Sequence, residues 1–125
     1  MKNGILLINH YLKTDKFNEL YEWLKKSAYD LNINLSVKTN REIMIDTEKK
    51  SLSREKIDFI LFWDKDILLA KYLEQQGFRV FNSANSIEMC DDKALTHVML
   101  SNKDIPMPKT IIPPFSYANI FEALT

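Results

Sequence analysis

The chain has 125 residues, is 46% hydrophobic and 27% charged, and sets 17 basic against 17 acidic side chains for a net charge of zero. That is the size of one ordinary domain with enough apolar content for a core, and the balanced charge gives no electrostatic basis for binding nucleic acid or an anionic membrane. One cysteine, Cys90, excludes an internal disulfide and fits a reducing, cytoplasmic setting, and the apolar run near the start is too short for a signal-peptide core or a membrane span.

Ile5-Leu6-Leu7-Ile8 follows a glycine as an unbroken apolar run, the pattern of a strand buried on both faces of a parallel sheet. In DKFNELYEWLKKSAYDL, Phe17, Leu20, Tyr21, Leu24, Ala28 and Leu31 fall on one helical stripe, and Asp15 is placed to cap it. INLSVKT alternates, with Ile33, Leu35 and Val37 on one side and Asn34 and Ser36 on the other. That predicts a strand with one wet face, near the sheet edge. Residues 40–56 are expected to hold a half turn of helix and then a small hairpin. IDFILFW, residues 57–63, is a second unbroken apolar strand. DKDILLAKYLEQQGF predicts a helix with Leu69, Ala70 and Leu73 inward and Gly77 at its end, and RVFN predicts a short fourth strand.

Strand–helix–strand, repeated, predicts an α/β fold: a Rossmann-like, open, mainly parallel sheet of about four strands flanked by helices. Ligands of such sheets sit beyond the carboxyl ends of the strands. Three segments therefore matter: Asn9-His10-Tyr11, Asp64-Lys65-Asp66 and Asn82-Ser83. Asn9 and His10 are candidates to hydrogen-bond a substrate carboxylate, against the plainer reading of a loop that solvates its own backbone. Asp64 and Lys65 are candidates by their crevice position, against Asp64 or Asp66 simply capping the next helix. Trp63 reads as core or edge packing. His10, His97 and Cys90 match no zinc spacing, so no metal site is expected. His97 reads as a partly exposed helix residue and Cys90 as a small buried apolar one.

After Asn82 the composition changes. SANSIEMC is a short turn or helical piece, and Asp91 or Asp92 is expected to cap a helix carrying Leu95, Val98 and Met99 on one face. Prolines 106, 108, 113 and 114 exclude helix from KDIPMPKTIIPPF, leaving Thr110-Ile111-Ile112 as one strand between them. SYANIFEALT begins another helix with Ser116 as its cap, and its length of about two turns at ~3.6 residues per turn reads as a truncated element.

Phe81-Asn82-Ser83, Ile87-Glu88, Asp92-Lys93, Leu100 and Ile105-Pro106-Met107-Pro108-Lys109-Thr110 together resemble the domain junction of the ATP-grasp ligases. The similarity is greatest to the RimK-like group, the α-L-glutamate ligase homologues, and covers most of the chain in order. Asn102-Lys103-Asp104 stands where many members have a glycine before the Ile-Pro. The resemblance implies a Rossmann-like pre-ATP-grasp domain over residues 1–90. A linker helix and the start of the ATP-grasp domain would follow over residues 91–125. It implies an intact parent that joins a carboxylate to an amine through an acyl phosphate, with ATP and magnesium as cofactors and an amino acid or peptide as substrate. It also implies that Lys93, the lysine of the Asp-Lys pair, contacts the nucleotide phosphates from the start of its helix. The plainer reading of Lys93 is a surface lysine beside capping acids.

Gly4 and Gly77 are the chain's two glycines, and neither lies in a mobile phosphate-covering loop. These residues alone are therefore expected to bind no ATP and to catalyse nothing. Their expected partners are the remaining ATP-grasp domains of the same polypeptide, with exchange between neighbouring copies in a homo-oligomer as the alternative for the tail. The competing function is a free-standing binding module of flavodoxin or receiver shape. Asp64 suits a receiver's phosphorylated position, but INHY carries neither the acids of a receiver nor the Ser/Thr/Gly-rich loop of a flavodoxin.

Overall fold

The computed structural model describes residues 1–12, 14–49, 52–53 and 55–114. The elements run β1 (Lys2–Ile8), α1 (Asp15–Asp30), β2 (Ile33–Thr39), β3 (Phe59–Trp63), α2 (Ile67–Gln75), β4 (Val80–Phe81), α3 (Ala84–Asp91) and α4 (Lys93–Leu100). The strands form one parallel sheet in the order β2-β1-β3-β4. The fold is an open, Rossmann-like α/β sheet flanked by helices. The chain divides into a compact unit, Met1–Glu88, and a second unit that begins at Met89 and is described to Pro114. No helix among the described residues is long and apolar enough to cross a membrane.

The apolar run of β1 is buried because it is covered from both sides. Ile5 and Leu7 join Ile60, Phe62, Leu69, Ala70, Leu73, Val80 and Ala84 in one core, while Leu6 and Ile8 join Tyr21 and Leu35 in the other. Alternation along β3 divides the same way, with Ile60 and Phe62 on the α2 side and Phe59 and Leu61 on the α1 side. The chain steps from β1 to β2 in one direction and from β3 to β4 in the other. Crossovers of one hand then require helices on opposite faces, and α1 and α2 pack on opposite faces. Gly4 permits a close approach on this central strand, since a Cβ there would fall 2.4 Å from Cζ of Phe59.

Helix starts are capped by side chains. Thr14 Oγ1 accepts from Phe17 N at 3.4 Å, Asp66 Oδ1 from Leu69 N at 3.0 Å, and Asp92 Oδ1 from Leu95 N at 3.0 Å. Thr14, not Asp15, is therefore the cap of α1, and Asp15 takes its first helical position. Leu31 also departs from the expected stripe. It ends α1 as the cap residue and is 74% exposed, because Asn32 turns left-handed at φ 61° and stops the helix. α2 buries Leu69, Ala70 and Leu73 as its periodicity predicts, and Gly77 follows it at φ 90°.

The expected half turn forms at the start of residues 40–56, where Glu42 N and Ile43 N donate to the Thr39 carbonyl at 3.0 and 3.2 Å, but no hairpin follows it among the described residues. Side-chain acceptors take up the backbone donors instead. Glu42 Oε2 accepts from Thr39 N at 2.8 Å, and Asp46 Oδ1 accepts from Glu48 N at 2.9 Å and Lys49 N at 3.0 Å. Ile43 anchors the segment in the core beside α2, and Tyr72 Oη donates to the carbonyl of Asp46 at 2.8 Å. In the second unit, Thr110-Ile111-Ile112 form no strand, and Ile111 and Ile112 are exposed. Cys90 is exposed rather than buried: it falls in the last turn of α3, past Ala84 and Ile87, the residues of that helix that join the core. Ser116 and its expected helix lie outside the described residues.

α2 gives a direct check of this layering. Leu73→Ala, at a position 1% exposed, should cost about 2–5 kcal/mol of unfolding free energy. Leu68→Ala, on the 72% exposed face, should change it by no more than about 0.5 kcal/mol. Urea denaturation of both variants decides it, and equal losses would contradict the packing.

Candidate functional site

Each strand is followed at its carboxyl end by a short polar side chain: Asn9 after β1, Asn40 after β2, Asp64 after β3 and Asn82 after β4. Strand order reverses between β1 and β3, which is where open sheets of this type leave a crevice. Asn9 and Asp64 face one another across that crevice. Asn9 Nδ2 donates to Asp64 Oδ1 at 3.2 Å, and Asn40 Nδ2 donates to Asp64 Oδ2 at 3.5 Å.

The orientation of both amides is set by the loop after β1. Tyr11 N donates to Asn9 Oδ1 at 2.9 Å and His10 N donates to Asn40 Oδ1 at 2.9 Å. Each amide oxygen is occupied by a backbone donor, so each NH₂ is directed at the carboxylate. Of the two acids after β3, Asp66 caps α2, and this leaves Asp64 to the strand ends.

A cavity of about 540 Å³ lies here, lined by Asn9, Leu12, Phe17, Tyr21, Phe62, Trp63, Asp64, Lys65 and Asn82. That is within the ~300–1,000 Å³ of small-molecule sites. Its wall is largely aromatic. Phe17 and Tyr21 come from α1, with stacked rings 6.2 Å apart, and Phe62 and Trp63 come from the end of β3. Tyr21 is 4% exposed, and its phenol is pushed above the usual tyrosine value, first by burial and then by the negative charge of Asp64. It stays protonated at neutral pH.

Of the four predicted substrate residues, the structure brings Asn9, Asp64 and Lys65 to this cavity and leaves His10 outside its lining. The His10 ring sits edge-on to Tyr11 at 5.2 Å, with its Nε2 3.4 Å from Arg41 Nη1. Trp63 is not core packing: it is 43% exposed and forms part of the cavity wall. Sequence reasoning missed Tyr21 and Phe17 as site residues because their helical spacing marks them as core, which they also are. It missed Asn40, whose signal was its place at the end of a strand beside β1. Lys93, predicted to meet nucleotide, is the exposed first residue of α4, directly after the Asp92 cap in the second unit. Its carbonyl lies 2.7 Å from His97 Nδ1, and since a carbonyl only accepts, that nitrogen is the donor. Among the described residues no group of three or more His, Cys, Asp or Glu side chains is placed to hold a metal ion.

No family model matches the chain. It is 41% identical over 100 residues to an uncharacterized protein of Mycoplasma pneumoniae, a match covering 77% of this chain and 33% of the relative. It is 33% identical over 105 residues to an uncharacterized protein of Mycoplasma genitalium, covering 83% of this chain and 36% of that relative. The chain thus spans about a third of the length of these curated relatives.

The Tyr21–Asp64 coupling has a measurable sign. Asp64→Asn should lower the pKa of Tyr21, so that it ionises more readily, while leaving it above its ordinary value, because burial is the larger cause. Because the folded value is raised, the contribution of Tyr21 to stability is complete below the unfolded-chain value near ~10 and is lost as pH rises through the folded one. Tyr21→Phe should remove that alkaline loss. NMR titration of ring-labelled tyrosine and alkaline unfolding curves check the two statements, and an unmoved Tyr21 in Asp64→Asn would contradict the placement.

Proposed function

We propose that this chain is the substrate-side domain of an ATP-dependent carboxylate–amine ligase, of the RimK-like ATP-grasp kind. In ligases of that kind ATP converts a carboxylate into an acyl phosphate, which an amine then attacks. The role of this domain is to form a wall of the acceptor site and to dock on the nucleotide-binding part of the polypeptide.

The observation that carries the reading is the start of α4. Asp92 caps the helix and Lys93 occupies its first position with an exposed side chain, at the Asp-Lys pair of the resembling run. A helix N-terminus favours anions, and a lysine ammonium is a compact charge suited to phosphate. Lys93 would be the residue of this chain that meets the nucleotide. The described residues supply no ligand cluster for magnesium, so no step through the metal is assigned to them.

Two further features support it. The cavity at the β1–β3 reversal lies where a sheet of this kind takes its ligand. The second unit exposes Val98, Met99, Ile105, Met107, Ile111 and Ile112, apolar surface of the sort that docks on another domain. The relatives are about three times as long as the stretch they share with this chain, which leaves room for nucleotide-binding domains in proteins of that length.

The strand order also matches the start of flavodoxin- and receiver-type sheets, which favours a binding module as the second reading. The loop after β1 argues against both versions. Asn9-His10-Tyr11-Leu12 offers neither paired acids nor a Ser/Thr/Gly phosphate loop.

The test is nucleotide binding and ATP-dependent phosphate release by the complete product of the reading frame. Lys93→Met should weaken ATP binding about tenfold or more, as expected for loss of one charge-assisted phosphate contact, and should lower turnover with the same sheet stability. The 125-residue chain by itself should show no measurable ATP affinity. Tight ATP binding by that chain, or full affinity in Lys93→Met, would overturn the reading.

A further inference from the structure

The cavity at the strand ends carries more information than its position. One polar group of its wall, the Tyr21 hydroxyl, belongs to a residue 4% exposed and has no hydrogen-bond partner among the described residues, so it is open to the cavity that the side chain lines. Beside it stands Asp64, whose two oxygens each accept one amide hydrogen and keep lone pairs to spare. Around both are the rings of Phe17, Tyr21, Phe62 and Trp63.

An anion, a phenol and aromatic faces in one recess form the recognition set for a cation. Ring faces attract an ammonium, most strongly when it is partly desolvated. A carboxylate held by two directed amides is fixed in position before the ligand arrives, and this lowers the ordering cost of binding. A raised phenol stays neutral and offers its oxygen as an acceptor to an N–H donor. Lys65 also lines the cavity, but it is exposed and already interacts with another group.

We propose that this cavity binds a ligand with a protonated amine and an apolar, ring-sized body: the ammonium meets Asp64 and Tyr21 Oη, and the body packs on Phe17, Phe62 and Trp63. This deepens the substrate-side reading above, on which it rests only for the ligand's role as the amine that is acylated.

The experiment is an NMR titration of the whole 125-residue chain, without nucleotide, against three probes of one shape. These are 2-phenylethylamine, 3-phenylpropionate and 3-phenylpropan-1-ol. The amine should shift the side-chain amides of Asn9 and Asn82 and the Trp63 indole. It should bind at least about tenfold tighter than the carboxylate, the scale expected when a partly desolvated charge meets like charge instead of its partner. Asp64→Asn should remove that preference, and Trp63→Ala should weaken all three probes together by about threefold or more. Equal or tighter binding of 3-phenylpropionate to the native chain overturns the proposal, and so does absence of binding by the amine. Neither result depends on a variant folding. Loss of amine binding in a protein whose turnover still needs Lys93 sinks this inference alone. Amine binding beside full nucleotide affinity in Lys93→Met supports it and sinks the ligase reading alone.

Discussion

The structure depends on β1 having no face that tolerates water. Ile5, Leu6, Leu7 and Ile8 are all buried, alternately into two separate cores. A strand of that kind needs a neighbour on each edge and a helix layer on each side. The chain meets the first demand by placing β2 on one edge and β3 on the other, and the second by sending α1 and α2 to opposite faces. The reversal in strand order then falls between β1 and β3. Their carboxyl ends open a crevice that no crossover helix covers, so burial of four apolar residues determines where a ligand can enter.

What fills the mouth of that crevice follows from local chemistry. Parallel strands end with backbone donors and acceptors that lack a ladder partner, and Asn and Asp side chains supply short replacements. Asn40 N continues the ladder to the Ile8 carbonyl at 2.9 Å, while its side-chain oxygen takes the N–H of His10. Satisfying the loop after β1 therefore aims two amides at Asp64. The carboxylate is held by the same contacts that close the strand ends, and structure and site share one network.

The sheet was legible because its signals are strong. Unbroken apolar runs gave β1 and β3, alternation gave β2 as an edge strand, and helical spacing gave α1 and α2, with the buried face of α2 correct residue by residue. Three of the four strand-end positions, at Asn9, Asp64 and Asn82, could be selected from connectivity alone. The failures have physical causes. Leu31 belongs to the stripe of α1 by spacing, but a left-handed Asn32 ends the helix first. Residues 40–56 contain hairpin-like polar clusters, yet Asp46 occupies the backbone donors of Glu48 and Lys49 that a hairpin would need. Tyr21 went unseen as a site residue because its helical spacing marks it as core, and Asn40 because strand order brings it to Asp64, and strand order is not a local property of the sequence.

On the reading proposed above, the groups collected at the strand ends recognise rather than activate. Amides and a carboxylate already bonded to them orient a partner. A phenol raised by burial and by Asp64 is a poor base at neutral pH. Aromatic faces contribute shape and attraction to cations without transferring anything. Turning a carboxylate into an acylating agent requires a phosphoryl donor held by several cations over the transferring group. On the ligase reading Lys93, at the start of α4, would be a single cation of that sort, and it belongs to the second unit rather than to the sheet. On the ligase reading the labour divides along the chain. The sheet presents a positioned amine, and the units after it supply the charge that activates the acid.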